Sequence, residues 1–185
     1  SQVITTNSYA VVPFHISEAV FAERGAALIA LSGKLAREAA DAAPAQVKVA
    51  GSLPPVLGSY RPDLFEPVAA KKLLKILVDN LTEHVDTWLA EAQSSIAEVE
   101  AVRDVLGDDP RPLWFSFTLQ DQLDEHGQAL LRSGESIEQA VAAALRLSAS
   151  AILFNCSRPE VMAAAVTAAR SALNAENSTL DIGVY

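Results

Sequence analysis

The chain has 185 residues, half of them hydrophobic and a fifth charged. A chain of this size can bury roughly 70% of its unfolded surface, and this composition excludes a disordered tract or a small disulfide-dependent scaffold. Its formal net charge of −9, from 23 acidic against 14 basic residues, argues against nucleic acid as a partner, since phosphate binding draws on clustered Lys and Arg.

The first strand expected is "QVITTNSY", followed by an alanine- and leucine-rich helical stretch. The second is "VKVAGSL". In "FEPVAAKKLLKILVDNLTEHV", the residues Val68, Leu73, Ile76, Leu77 and Leu81 are read as the buried face of a helix, which also holds the densest basic spot of the chain. The third strand, "VDTWLAEA", runs into Ser95 and Glu98, the spacing of a capping box. Gly107 stands where that helix should end, and "DDPRP" turns the chain into a fourth strand, "LWFSFTL". Ser136 with Gln139 repeats the capping pattern ahead of "SAILFNC", and Ser157 with Glu160 repeats it again ahead of the terminal "LDIGVY".

Strand, turn and helix thus alternate without a composition break, which predicts an α/β fold with a parallel sheet in one domain over residues 1–185. The strands are apolar along their length, as strands covered on both faces are. Neither G-x-G-x-x-G nor a P-loop occurs, so a barrel is expected ahead of an open nucleotide-binding sheet. No apolar run of about 18 residues suggests a membrane span, and "SQVITTNSY" lacks the basic start and cleavage site of a secretory signal. A soluble, cytoplasmic protein with no membrane partner is the expectation.

Parallel α/β proteins place their chemistry at the carboxyl ends of the strands. Those ends carry Thr6, Asn7 and Tyr9; Gly51 and Ser52; Glu91, Gln93 and Ser94; Ser116, Thr118 and Asp121; and Asn155, Cys156 and Ser157. Cys156 is the single cysteine. A thiolate just ahead of a helix gains from the helix dipole, which suits nucleophilic attack or metal ligation, whereas a buried packing cysteine is the plain alternative. Glu91 follows a mostly apolar run, so its carboxylate needs a cationic or hydrogen-bonding partner: a bound ammonium group or an internal Lys or Arg. Asn7 and Asn155 can hold a carboxylate or pin loops. Tyr9, Trp88 and Trp114 read as packing residues, and His15, His84 and His126 take no role.

The motifs "VITTNSYA", "VAGSLPP", "WLAEAQSS", "WFSFTL", "LRSGES" and "FNCS", in this order, resemble those of the homocysteine S-methyltransferases, in particular the S-methylmethionine-dependent type. The resemblance implies a (β/α)8 barrel of which the six strands are the second to seventh. It implies a zinc ion held by Cys156 and by two cysteines of an eighth strand, and homocysteine bound through Glu91. Thr6, Asn7, Tyr9, Ser116 and Asn155 would face the same pocket, and a sulfonium methyl donor would be the second substrate. The family's first-strand Asp-Gly-Gly and eighth-strand Gly-Gly-Cys-Cys motifs are absent from these residues. Taken alone the chain is therefore expected to be an incomplete, inactive barrel: a piece of a longer enzyme, or a degenerate relative that assembles through its open edges. A phosphate-binding aldolase or synthase barrel fits less well, since no lysine ends a strand and Lys48 lies near a strand's start.

Overall fold

The computed structural model describes residues 2–185. Six strands, β1 (Val3–Thr5), β2 (Lys48–Leu53), β3 (Thr87–Gln93), β4 (Leu113–Phe117), β5 (Ala151–Phe154) and β6 (Asp181–Val184), form one sheet in sequence order. Every neighbouring pair is parallel. Between them lie α1 (Pro13–Ile16), α2 (Glu18–Asp41), α3 (Pro67–Leu81), α4 (Ile96–Leu106), α5 (Ile137–Arg146) and α6 (Pro159–Ala175). Parallel crossovers share one hand, so strands laid down in sequence order put all their helices on the same face and curl the sheet into a half-barrel. No helix among the described residues is long and apolar enough to cross a membrane.

The inner strands β2 to β5 are almost wholly buried, as their unbroken apolar runs require, while β1 and β6 are part-exposed. β2 ends at Leu53 as its run suggests and β3 reaches one residue further, to Gln93, whereas β1, β4, β5 and β6 end earlier; β1 stops at Thr5, and residues 6–10 already belong to the rim. At the opposite end of the sheet Trp88 packs across Gly51, where a Cβ would stand 2.9 Å from the indole. The Arg111 guanidinium lies 4.7 Å from the Trp88 ring centre and, through its hydrogen bonds, holds the Asp109 carboxyl down at about 2.

Two expectations about helices need correction. The buried stripe of α3 is Ala70, Leu74, Leu77 and Leu81, spaced four, three and four, with Leu73 and Ile76 packed on its flank. Val68 lies off that stripe and is 61% exposed. Ser95–Glu98 and Ser136–Gln139 are capping boxes, but Ser157–Glu160 is not. Pro159 occupies the first turn of α6 and keeps Arg158 extended, so the helix begins one residue too late for Ser157 to cap it.

Candidate active site

The carboxyl ends of β1 to β6 carry a continuous set of polar side chains. It begins at β1, where Thr6 Oγ1 accepts the Ser52 amide at 3.0 Å and Ser8 Oγ donates to the Ser52 carbonyl at 2.8 Å. Ser52 in turn donates its hydroxyl to Glu91 Oε2 at 2.5 Å. Glu91 owes its position to a bulge in β3. Ala90 pairs with Phe115 and Gln93 with Phe117, so Glu91 and Ala92 together oppose Ser116. Ala92 takes a left-handed conformation, φ 57°, and Gln93 Nε2 holds the bulge by donating to the carbonyls of Leu53 and Glu91.

On the next strands Ser116 donates to Asn155 Oδ1 at 2.9 Å, and the Asn155 amide donates to Cys156 Sγ at 3.4 Å. Cys156 is exposed and sits at φ 48° just past β5, where the strand has ended and α6 has not begun. Ser157 fixes that turn, donating to the Asn155 carbonyl and accepting the Leu119 amide. Tyr185, after β6, closes the arc: its hydroxyl donates to Glu91 Oε1 across a long 3.4 Å and also interacts with Ser116. Burial, with the charges of Glu91 and Cys156 nearby, raises the Tyr185 phenol well above its ordinary range.

Two further tyrosines stand beside the thiol. Tyr9 donates to or accepts from Ser59 at 2.9 Å; burial raises its phenol, with Cys156 and Glu91 adding to the shift. Burial and an interaction with the Cys156 thiol push Tyr60 up to about 12. Thr6, Tyr9, Glu91, Ser116, Asn155 and Cys156 are therefore brought together at one end of the sheet. Asn7 is not. It is exposed and lines a cleft of about 450 Å³ with Ile4, Val11 and Leu31, on the outer side of β1 against α2. A second cleft, of about 610 Å³ and lined by Arg37, Lys48 and Asp86, opens at the amino ends of the strands, the face that barrels use for stability.

The family profile described as homocysteine S-methyltransferase matches residues 1–185. The chain belongs to that family. Among solved structures, the homocysteine methyltransferase MmuM from Escherichia coli, in its apo form, matches with a TM-score of 0.72 and 24% identity, over 100% of this chain and 65% of that one. At this identity the likeness speaks to the fold, and the chain spans just under two thirds of that relative's length. A type I 3-dehydroquinate dehydratase from Clostridium difficile gives a TM-score of 0.48 at 12% identity, over 86% of this chain and 57% of its own. No curated protein sequence matches.

Zinc is the metal that the homocysteine S-methyltransferase resemblance implies, and zinc prefers four donors. Among the described residues no three His, Cys, Asp or Glu side chains form a group that could hold a metal ion. His15 lies in α1, while His84 and His126 lie in loops after α3 and β4. The residues present thus do not build a zinc site by themselves; they offer one exposed thiol beside an amide donor. Ser52, Tyr60 and Tyr185 join the cluster without having been singled out as site residues. Ser52 had a signal, its place at the end of β2. The tyrosines had none, because their partners lie across the fold: Glu91 is 94 positions from Tyr185.

Proposed function

We propose that these residues form strands two to seven of a homocysteine S-methyltransferase barrel, one domain whose remaining strands come from a longer polypeptide. The observation that carries the reading is the pairing, at one sheet end of a family member, of a part-buried carboxylate with an exposed thiol. Glu91 would take the ammonium group of homocysteine at Oε1, the oxygen whose contact with Tyr185 is long and weak, while Ser52 holds Oε2 in place. Cys156 would be one of three thiolates holding zinc. When bound, zinc supplies a Lewis acid that keeps a substrate thiol ionised at neutral pH. Asn155 orients the Cys156 sulfur and is itself oriented by Ser116. Thr6 and Tyr9 shape the pocket wall beside Ser52, and Asn7 would join them only through a change in its loop.

The reaction needs no base at carbon. The homocysteine thiolate attacks the methyl carbon of a sulfonium such as S-methylmethionine, a new S–C bond forms, and the old S–C bond breaks with its electron pair passing to the sulfonium sulfur. Two neutral thioethers result, one of them methionine. With a single thiol donor, the 185 residues alone are proposed to be inactive.

In the full-length protein Cys156→Ser should remove zinc and activity together. Glu91→Ala should leave zinc bound and weaken homocysteine by roughly 10- to 150-fold, the about 1.5 to 3 kcal/mol of a charged hydrogen bond. Zinc by atomic absorption and KM for homocysteine check this. Unchanged homocysteine affinity in the Glu91 variant would remove that residue from the site.

A further inference from the structure

The Tyr185 hydroxyl lies between two runs of hydrogen bonds at the rim. In one, Ser52 Oγ donates to Glu91 Oε2. In the other, Ser116 Oγ donates to Asn155 Oδ1 and the Asn155 amide to Cys156 Sγ. β6 stands three strands from β3, so the Tyr185 ring crosses the mouth of the half-barrel to put its hydroxyl 3.4 Å from Glu91 Oε1 and in contact with Ser116. The backbone holds it there, the Tyr185 amide donating to the Phe154 carbonyl at 3.2 Å. Two residues earlier Gly183 pairs with Leu153, where a Cβ would stand 2.7 Å from Cδ2, so only a residue without a side chain lets β6 lie this close. Tyr185 is 57% exposed at the sheet edge, but its hydroxyl is the end that reaches into the site.

A phenol carries one proton and two lone pairs, and here that proton has two acceptors within reach. Glu91 Oε1 is one, at the outer limit of hydrogen-bond length. Ser116 Oγ is the other, because its own proton is committed to Asn155 and its oxygen is left to accept. We propose that Tyr185 is a second acceptor for the ammonium group of homocysteine, its phenol proton turning from Glu91 to Ser116 as the ammonium arrives. The inference rests on the methyltransferase reading and deepens it by adding a residue to the amino-group site. Two oxygens 3.4 Å apart can both stand within about 3 Å of one nitrogen, so an ammonium placed between them meets a charged and a neutral acceptor. Turning the proton costs no hydrogen bond, since a long contact is exchanged for Ser116. It also extends a run of donors from Tyr185 through Ser116 and Asn155 to Cys156 Sγ, all pointing the same way, and aligned hydrogen bonds strengthen one another. A ligand without an ammonium group leaves the proton on Glu91 and gains nothing from Tyr185.

The test is titration calorimetry of the zinc-loaded full-length protein with homocysteine and with 4-mercaptobutanoate, the same thiol and carboxylate without the amino group. Tyr185→Phe, which keeps the ring, should weaken homocysteine about 10-fold and leave 4-mercaptobutanoate within about twofold. Ser116→Ala removes the alternative proton acceptor and should also weaken homocysteine more than 4-mercaptobutanoate, which keeps the proposal open to refutation even where Tyr185→Phe fails to fold. In the Ser116→Ala background, Tyr185→Phe should cost less than it does alone. Equal weakening of both ligands by Tyr185→Phe would assign the hydroxyl to packing, and tighter homocysteine binding would make it a competitor for Glu91. Strictly additive losses would mean that the proton does not turn, and unchanged homocysteine affinity that the hydroxyl does not touch the ammonium. Each of these four overturns the proposal and leaves the methyltransferase reading standing. A wild type that binds 4-mercaptobutanoate as tightly as homocysteine removes the ammonium site itself, and with it the roles of both Tyr185 and Glu91.

Discussion

Glu98 sits under two opposed influences. It is 5% exposed, and burial pushes its carboxyl up to about 7, against the Ser94 and Ser95 amides that it accepts as the capping box of α4. A carboxyl raised in the folded state favours the protonated form, so the stability it contributes is complete below the unfolded value near 4.5 and is lost as pH rises through about 7. Between pH 4.5 and 7.5 the wild type should lose on the order of 3 kcal/mol relative to Glu98→Gln, which cannot ionise. Urea midpoints of both proteins across that range check it; parallel profiles would refute it. The box itself was legible, because Ser95 and Glu98 act within one helical turn. Ser157 was not, although it shows the same spacing. Its hydroxyl is committed to Asn155 and to the amide of Leu119, 38 positions away, and Pro159 moves the helix start. Asn7 shows the same limit: "TTNSY" identifies a rim segment, but which of its alternating side chains turn toward Ser52 is decided by the pairing of β1 with β2.

At the scale of an element, the bulge in β3 separates two alanines that look alike in "WLAEAQSS". Ala90 is a regular strand residue and Ala92 is left-handed; both are fully buried. Ala90→Gly forfeits a buried methyl, about 0.8 kcal/mol, and adds the backbone entropy of glycine, about 0.5–1 kcal/mol. Ala92→Gly forfeits the same methyl and adds the same entropy, but relieves about 1–2 kcal/mol of left-handed strain, so the terms nearly cancel. Chemical denaturation should place Ala90→Gly about 1–2 kcal/mol below the wild type and Ala92→Gly within about 0.5 kcal/mol of it. Equal losses would mean that the bulge is not built as described. The strand order and parallel sense were legible from the alternation of runs and helices. The bulge was not, since nothing in the residue types of β3 marks it, and yet it is what aims Glu91 at Ser52.

For the whole molecule, the decisive features are the two sides of the half-barrel. β1 and β6 each have one strand neighbour among the described residues, and beside β1 the α2 side chains Leu31 and Leu35 are 48% and 55% exposed around the cleft that Ile4 and Val11 line. At the other side Val184 is 53% exposed. Apolar surface next to a strand edge invites pairing. The net charge of −9 opposes it: identical acidic chains repel at long range, and that repulsion falls within about 10 Å at 0.1 M salt and about 3 Å at 1 M. Burial of apolar side chains is short-ranged and is not screened, so the balance should tip with salt. A protein of these 185 residues alone is thus expected to be mostly monomeric at low ionic strength and to associate progressively as salt is raised, whereas a longer polypeptide that completes the barrel stays monomeric throughout. Leu31→Glu with Leu35→Glu, both on the exposed side of α2, should suppress the association without unfolding the chain. Sedimentation velocity from 20 mM to 1 M salt reads the outcome. A 19.6 kDa monomer at every salt concentration would show that these edges do not drive self-association, and association that weakens with salt would assign it to charge.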